Sequence, residues 1–200
     1  IYDFASQGNV VIMGRAATIL LRDVPSALRV HIYCPFEVRV ERLMRDEGLT
    51  REIAEQLVRE NDADRASYLK YLFDRDWMDP DLYDVMINTA RVSQETAVRI
   101  VLKAMESKEI REGEARSAEI LGNLILAKRA EEALLRTKQV NPRHITVTVN
   151  RPGVVILRGI VSSEKEKLAA EDAVLNVPGV VEVENDLYVT IAPIDHLDFS

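Results

Sequence analysis

Short apolar runs alternate with segments of helical periodicity along the first half of the chain. The apolar runs span residues 9–13, 27–34 and 83–89. The segments whose apolar positions recur every three or four residues span 35–48, 50–73 and 93–106. Continuous apolar runs are typical of strands buried on both faces, and the three-four spacing is typical of amphipathic helices. The alternation predicts an α/β fold with a parallel sheet and right-handed crossovers.

Helix boundary signals agree with this pattern. Pro35 suits the first turn of the helix that follows the second strand, and Gly48 suits its end. Thr50 and Ser93 are candidate N-caps of the next two helices.

The second half has a different order of elements. Residues 107–117 are polar and contain a glycine, so we place a domain boundary there. A long amphipathic helix at 118–138 precedes alternating valines and threonines, an Asn150–Gly153 turn and a returning apolar strand, which together indicate a hairpin. A helix capped by Ser163 and a last strand complete the order α-β-β-α-β. The predicted organisation is 1–107, an α/β domain; 108–117, a linker; 118–192, a small α+β domain; and 193–200, a tail.

Charge and composition restrict the partners. The net charge of −7 and pI of about 5.1 argue against a nucleic-acid function, which draws on clustered basic residues. Residues 108–200 contain more acidic than basic residues, which disfavours binding to an anionic membrane. No secretory signal is visible, and the single cysteine, Cys34, reads as a buried structural thiol. We therefore predict a cytoplasmic protein.

Two polar groupings are candidates for chemistry. Gly14-Arg15 follows the predicted strand 9–13, and ligands of open α/β sheets bind at the carboxyl ends of strands. Taken alone, Arg15 is as compatible with solvent exposure as with an anion site. Asp62 and Arg65 share a face of the 50–73 helix, which also carries Arg59. Such a pair either aims a guanidinium at a phosphate or is an exposed ion pair worth a few tenths of a kcal/mol.

Other catalytic signatures are missing from the sequence. There is no G-x-x-x-x-G-K-[ST] loop to cradle the phosphates of a nucleoside triphosphate and no Cys/His spacing for a metal. His31 lies in a strand pattern and is expected to be structural.

The first half resembles the cytidylate kinase-like family of P-loop nucleoside monophosphate kinases. The likeness rests on "VVIMGRAATILL", "LRVHIYCPFEVRVERL", "DADRASY" and "YDVMINT" and covers about residues 8–105. It implies that Gly14, Arg15, Arg42 and Arg59 bind phosphate or nucleotide. Arg65 would stabilise the transferring phosphoryl group, while Asp62 orients it or contacts the nucleotide.

The resemblance also implies ATP and Mg²⁺ as cofactors and a nucleoside monophosphate such as CMP as the acceptor. Ala16 stands where cytidylate kinases proper carry an Asp that helps recognise the nucleotide, which leaves the base open. The phosphate-binding loop of the family would precede Ile1, so we expect these 200 residues alone to lack kinase activity.

The second half resembles a BON domain over about residues 118–191. The hairpin, Gly159 after its second strand, the alanine-bearing helix and the "VPGV" entry to the last strand carry the likeness. It implies a module that binds a small ligand, a phospholipid or a protein partner, with Gly159 and Gly179 as structural glycines.

Two functions remain open on these grounds. One is a nucleotide kinase with a regulatory BON module. The other is a non-catalytic protein that senses a nucleotide or acts as a scaffold, with the BON module mediating ligand binding or self-association. The long helix at 118–138 suits docking to a second chain, so a homodimer is an expectation of both.

Overall fold

The computed structural model describes residues 1–14 and 16–190. The chain divides into two compact units. One is Ile12–Ala115, called the α/β unit below. The other contains the described residues of Ile1–Val11 and Arg116–Ser200 and is called the hairpin unit.

The α/β unit contains a parallel pair of strands. β1 (Val30–Tyr33) and β2 (Val85–Asn88) run in register, with Val30 beside Val85 and Tyr33 beside Asn88. The helices of this unit are α2 (Ala17–Leu20), α3 (Phe36–Glu47), α4 (Arg51–Phe73), α5 (Gln94–Met105) and α6 (Lys108–Glu112), and a 3₁₀ turn spans Pro80–Leu82. Two strands, with α3 and α4 between them in the chain, confirm the α/β class that the alternating pattern predicts.

Local signals place the helix ends correctly. Helix α3 lies between Pro35 and Gly48, and the Ser93 hydroxyl accepts a hydrogen bond from the Thr96 N–H at the start of α5. Thr50 occupies the N-cap position of α4, although its side chain accepts no capping bond there. Helices α3 and α4 pack through a small core of Val40, Ala54 and Val58.

The predicted first strand is absent. Residues 10–13 have no regular secondary structure, and the side chains of Val11 and Met13 are 90% and 87% exposed. A strand is stabilised by ladder hydrogen bonds to a neighbour, and β1 pairs only with β2 among the described residues. An apolar run without a pairing strand therefore stays outside the sheet. The prediction of a buried strand ending at Gly14 is wrong for this structure.

Much of the predicted linker is helical. Lys108–Glu112 forms α6, and α7 (Glu114–Arg136) begins directly after Gly113. A Cβ at Gly113 would lie 2.7 Å from the Cβ of Pro25, so this glycine allows close packing inside the α/β unit. Neither α4 nor α7, nor any shorter helix of the described residues, is long and apolar enough to cross a bilayer.

The hairpin unit has the predicted order of elements. Helix α1 (Tyr2–Ala5) belongs to it, and α7 is followed by a 3₁₀ turn at Pro142–His144, β3 (Ile145–Arg151), β4 (Val154–Val161), α8 (Glu164–Leu175) and β5 (Glu182–Val189). The sheet order is β3-β4-β5; β3 and β4 are antiparallel, and β4 and β5 are parallel. One face of this sheet joins α7 and α8 in the core. Its fully buried members include Leu134, Leu157, Ala170 and Leu187.

Glu166 ties three segments of the hairpin unit together. Its carboxylate accepts hydrogen bonds from the Asn141 N–H at 2.7 Å and from the Ser162 N–H and hydroxyl at 2.8 and 2.6 Å. Its own N–H donates to the Ser163 hydroxyl, the cap of α8. Burial alone would raise the pKa of Glu166, but the bonds from Ser162 and Asn141 outweigh it and hold that pKa below its usual range.

We expect Glu166→Gln to destabilise the hairpin unit by about 1 kcal/mol at pH 7, because an amide replaces a charged acceptor of three hydrogen bonds. A lowered carboxyl pKa stabilises the fold above the unfolded-state value of about 4.3, and this contribution disappears as pH falls through the folded-state value. The difference in the free energy of unfolding between parent and variant, measured by urea titration, should therefore narrow from pH 7 to pH 3. A difference that stays constant across that range would contradict the stabilising role of the ionised Glu166 carboxylate.

Candidate functional site

The carboxyl ends of β1 and β2 are joined by hydrogen bonds from Thr89. The Thr89 N–H donates to the Tyr33 carbonyl at 2.9 Å, and its hydroxyl donates to the same oxygen at 3.2 Å. Helix α3 begins just after β1, at Phe36, and so extends from this edge. This edge of an α/β sheet is where ligands generally bind.

Arg42 reaches from α3 to the end of β2. Its guanidinium donates to the Thr89 carbonyl at 2.6 Å and to the Thr89 hydroxyl at 3.2 Å. These bonds use two of its five N–H groups, and among the described residues no carboxylate lies within ion-pair distance of it. The fixed cation therefore retains hydrogen-bonding capacity for an anionic ligand at the strand ends.

Arg39, one turn earlier on α3, is held by Asp62 of α4. Two N–H groups of its guanidinium donate to the two carboxylate oxygens at 2.7 and 2.6 Å. Both side chains are about three-quarters buried, at 27% and 29% exposure. A bidentate, partly buried pair of this kind is stronger and more specific in geometry than an exposed one.

The pair is ionised at neutral pH. The hydrogen bond from Arg39 lowers the pKa of the Asp62 carboxyl, with a smaller contribution from the charge of Arg65. The same hydrogen bond raises the pKa of the Arg39 guanidinium. The Nε of Arg39 is buried and has no hydrogen-bond partner among the described residues.

The partner of Asp62 is thus Arg39, and the expected pairing of Asp62 with Arg65 is not formed. The Arg65 guanidinium lies 5.9 Å from the centre of the Trp77 ring instead. Over residues 1–14 and 16–190, no carboxylate lies within 4.0 Å of its nitrogens. Arg65 therefore contributes an unneutralised positive charge close to the Arg39–Asp62 pair, which affects the pKa of Asp62.

The remaining predicted site residues are Arg59, Gly14 and Arg15. The Arg59 guanidinium lies 4.6 Å from the centre of the Phe36 ring and 3.7 Å from a carboxylate oxygen of Glu55. Gly14 has open space around it and follows the unpaired run 10–13 rather than a strand. Arg15 lies outside the described residues. The structure thus pairs Asp62 with Arg39 and places the charge of Arg65 near that pair, while Arg42 lies one turn from Arg39 on α3.

An aromatic cluster beside Arg65 is not apparent from the sequence. His31 of β1 is buried, at 8% exposure, and stacks on Tyr83 with ring centres 4.5 Å apart, while Trp77 meets its edge at 5.4 Å. Burial, and next the charge of Arg65, lower the pKa of His31, so the ring is neutral at pH 7. Its burial agrees with the structural role expected for it. Cys34, by contrast, is only partly buried.

The described residues contain neither a cluster of metal-binding side chains nor a P-loop. No group of three or more His, Cys, Asp or Glu side chains in the described ranges is placed to hold a metal. The sequence has no G-x-x-x-x-G-K-[ST] loop. What the site offers is a set of guanidinium groups that suit a phosphate or another small anion.

Two segments of the chain match models of known protein families. Residues 1–91 match the model of the cytidylate kinase-like family, and residues 124–190 match the model of the BON domain. The cytidylate kinase of Methanocaldococcus jannaschii is 32% identical over 107 residues, which are 52% of this chain and 60% of that protein. The cytidylate kinase of Pyrococcus horikoshii is 32% identical over 102 residues, 51% of this chain and 52% of that protein.

A crystal structure of an uncharacterized protein from Eubacterium ventriosum matches with a TM-score of 0.48 and 26% identity, covering 54% of this chain and 63% of that one. The chain spans between half and two thirds of the length of these curated relatives. The two matched segments follow one another along the chain: the first is similar to the cytidylate kinase-like family and the second to the BON domain.

Proposed function

We propose that the α/β unit binds the phosphate of a nucleoside monophosphate at the carboxyl ends of β1 and β2. The whole protein would be a cytidylate kinase-like nucleotide kinase that transfers a phosphoryl group from ATP to this acceptor. The observation that carries the proposal is Arg42, which is fixed on Thr89 at the ends of β1 and β2 and has no carboxylate partner among the described residues. Arg39 lies one turn away on the same helix, and the charge of Arg65 acts on its partner Asp62. The matches to cytidylate kinases support it.

Each residue has a physical role in this proposal. Arg42 binds the acceptor phosphate, because its guanidinium is already fixed on Thr89 and loses little freedom on binding. Arg65 stabilises the negative charge of the transferring phosphoryl group. Asp62 acts through Arg39, whose guanidinium it holds in one orientation. Gly14, Arg15 and Arg59 are proposed to bind phosphate or nucleotide from the family resemblance.

ATP and Mg²⁺ are implied for the whole protein by its family, and ATP supplies the phosphoryl group when bound. Residues of this chain contribute binding and orientation of the acceptor, which phosphoryl transfer requires more than covalent help. For residues 124–190 we propose a role as a ligand-binding or interaction module, in keeping with the BON match.

We expect Arg42→Gln to weaken binding of a nucleoside monophosphate by about ten- to a hundredfold, because a charge-assisted hydrogen bond contributes about 1.5–3 kcal/mol. The measurement is calorimetric titration of the 200-residue chain with CMP, UMP and AMP. Arg65→Gln should lose less affinity than Arg42→Gln, because Arg65 is assigned to the transferring phosphoryl group, which a nucleoside monophosphate alone does not contain. Arg15→Ala tests the position outside the described residues.

Arg45→Gln is the matched control for these variants. Arg45 is also on α3, but it is exposed and pairs with the neighbouring Asp46. The Arg45→Gln variant should bind the nucleotides with the affinity of the parent chain. If the parent binds none of the three nucleotides, the site is wrongly identified. If Arg42→Gln binds as tightly as the parent, or if Arg65→Gln loses as much affinity as Arg42→Gln, the assigned phosphate roles are wrong.

A further inference from the structure

The two edge strands of the hairpin unit's sheet differ in charge: one carries acidic side chains and the other is nearly uncharged. Its order β3-β4-β5 leaves β3 at one edge and β5 at the other. Strand β5 carries Glu182, Glu184 and Asp186 at alternate positions, so all three lie on one face of the sheet. Two of these carboxylates are paired with arginines across the sheet, Glu184 with Arg151 and Asp186 with Arg158. Charged side chains on an edge strand disfavour its pairing with another strand.

Strand β3 has no such protection. Residues 145–150, Ile-Thr-Val-Thr-Val-Asn, contain no charge and no proline. Among the residues that the structure describes, no strand pairs with the outer side of β3 and no hydrogen bond joins its outward backbone groups. Soluble proteins usually block such an edge with charge, proline or a covering segment, because it is a template for another strand.

The sequence of β3 is self-complementary in an antiparallel arrangement centred on Thr148. Thr148 then faces its own copy and Val147 faces Val149. The two valines belong to the face that packs on the core, whereas Thr148 lies on the opposite face. The pairing therefore keeps apolar side chains together and polar side chains together. The register of β3 with β4 shifts between Val149 and Arg151, so Asn150 and Arg151 lie beyond the regular part of the strand, and no like charges meet within it.

A cavity of about 460 Å³ lies beside this edge, inside the hairpin unit. Ile120, Leu124 and Ala127 of α7 line it together with Val147 and Val149 of β3, and the rest of its lining is polar. A strand added to β3 would project its own valines from the same face of the sheet, towards the apolar part of this lining. The cavity thus provides room for the side chains that a second β3 would bring.

From these observations we propose that two copies of this chain associate through antiparallel pairing of their β3 strands about Thr148, forming one continuous sheet. This deepens the interaction role proposed for the BON domain and is independent of nucleotide binding. The proposed self-association surface is β3, whereas the sequence suggested the long helix that corresponds to α7. That helix places Leu126, Ala127, Ala130 and Leu134 in the core of its own unit.

The first test is the mass of the 200-residue chain in solution, measured by sedimentation from micromolar to millimolar concentration. The parent should approach twice 22.6 kDa as concentration rises. Thr148→Lys should remain at 22.6 kDa, because two ammonium groups would then lie directly opposite one another. Tyr188→Lys is the control: it adds the same charge at an exposed position of β5 and should associate like the parent. Circular dichroism checks that each variant is folded.

The second test is a cross-link that does not depend on a lysine being tolerated. Directly opposed Cα atoms in antiparallel strands are about 4.5–5.5 Å apart, within the range that a disulfide spans. In a Cys34→Ser background, Thr148→Cys should form a covalent dimer with oxidised glutathione. Tyr188→Cys at equal concentration should form far less.

A parent mass of 22.6 kDa at every concentration would overturn the proposal and leave the β3 edge to an unlike partner. Association that persists in folded Thr148→Lys, or equal cross-linking of the two cysteine variants, would overturn it as well. Nucleotide affinity should be the same in Thr148→Lys and the parent, so this result is separate from the test of the nucleotide site.

Discussion

Gly159→Ala is expected to destabilise the hairpin unit by about 3 kcal/mol or more and to prevent its folding at moderate temperature. Gly159 lies in β4 opposite Ile145 and has a φ of +132°, which side-chain-bearing residues rarely adopt. A Cβ there would lie 1.8 Å from the carbonyl oxygen of His144, a backbone atom that cannot move without displacing the start of β3. Thermal unfolding followed by calorimetry measures the effect.

Gly122→Ala provides the matched control in the same unit. Gly122 is inside α7, and a Cβ added to it meets nothing within 4 Å. Because alanine favours helix over glycine by about 0.5–1 kcal/mol, this variant should be slightly more stable than the parent. An unchanged melting temperature for Gly159→Ala would show that β4 can be rearranged at this point, contrary to the structure.

Asp62→Ala is expected to destabilise the α/β unit by about 2 kcal/mol and to weaken nucleoside monophosphate binding by about tenfold or more. The substitution leaves the Arg39 guanidinium three-quarters buried without its carboxylate. The cost is below that of breaking a fully buried pair because water still reaches both side chains. Binding weakens, in our proposal, because Arg39 no longer has a fixed orientation beside Arg42 and Arg65.

Chemical denaturation and calorimetric titration measure these two effects separately. Asp64→Ala is the control, since Asp64 is on the same helix and exposed. It should change neither the free energy of unfolding nor the nucleotide affinity by a measurable amount. If Asp62→Ala loses stability but retains full affinity, the pair holds α3 against α4 and has no part in binding.

The sequence predicts most helices of this protein well because their signals are local. Pro35 and Gly48 bracket α3, and Ser93 and Ser163 cap α5 and α8, each acting on backbone groups within a few residues. The β3–β4 hairpin is equally local, since a tight turn joins strands with alternating side chains.

The candidate site was only partly predictable. Asp62 and Arg65 are conspicuous in the sequence because they share a helix face, which suggests an ion pair between them. The structure instead pairs Asp62 with Arg39, 23 positions earlier on another helix. Arg39 and Arg42 together, one turn apart on a helix that leaves a strand end, were the available signal. Nothing local indicates which of several arginines meets the carboxylate.

What the sequence by itself determined is therefore the class of each segment, strand–helix alternation in the first half and α-β-β-α-β in the second, together with the ends of α3 and the N-caps of α5 and α8. The tertiary structure alone decided which apolar run enters a sheet and which charges meet. Residues 10–13 have the composition of a strand but remain exposed, and α3 and α4 bring Arg39 to Asp62. The physical reason is common to both. Strand pairing and ion pairing each need a partner distant in sequence, and only packing brings that partner within hydrogen-bonding distance.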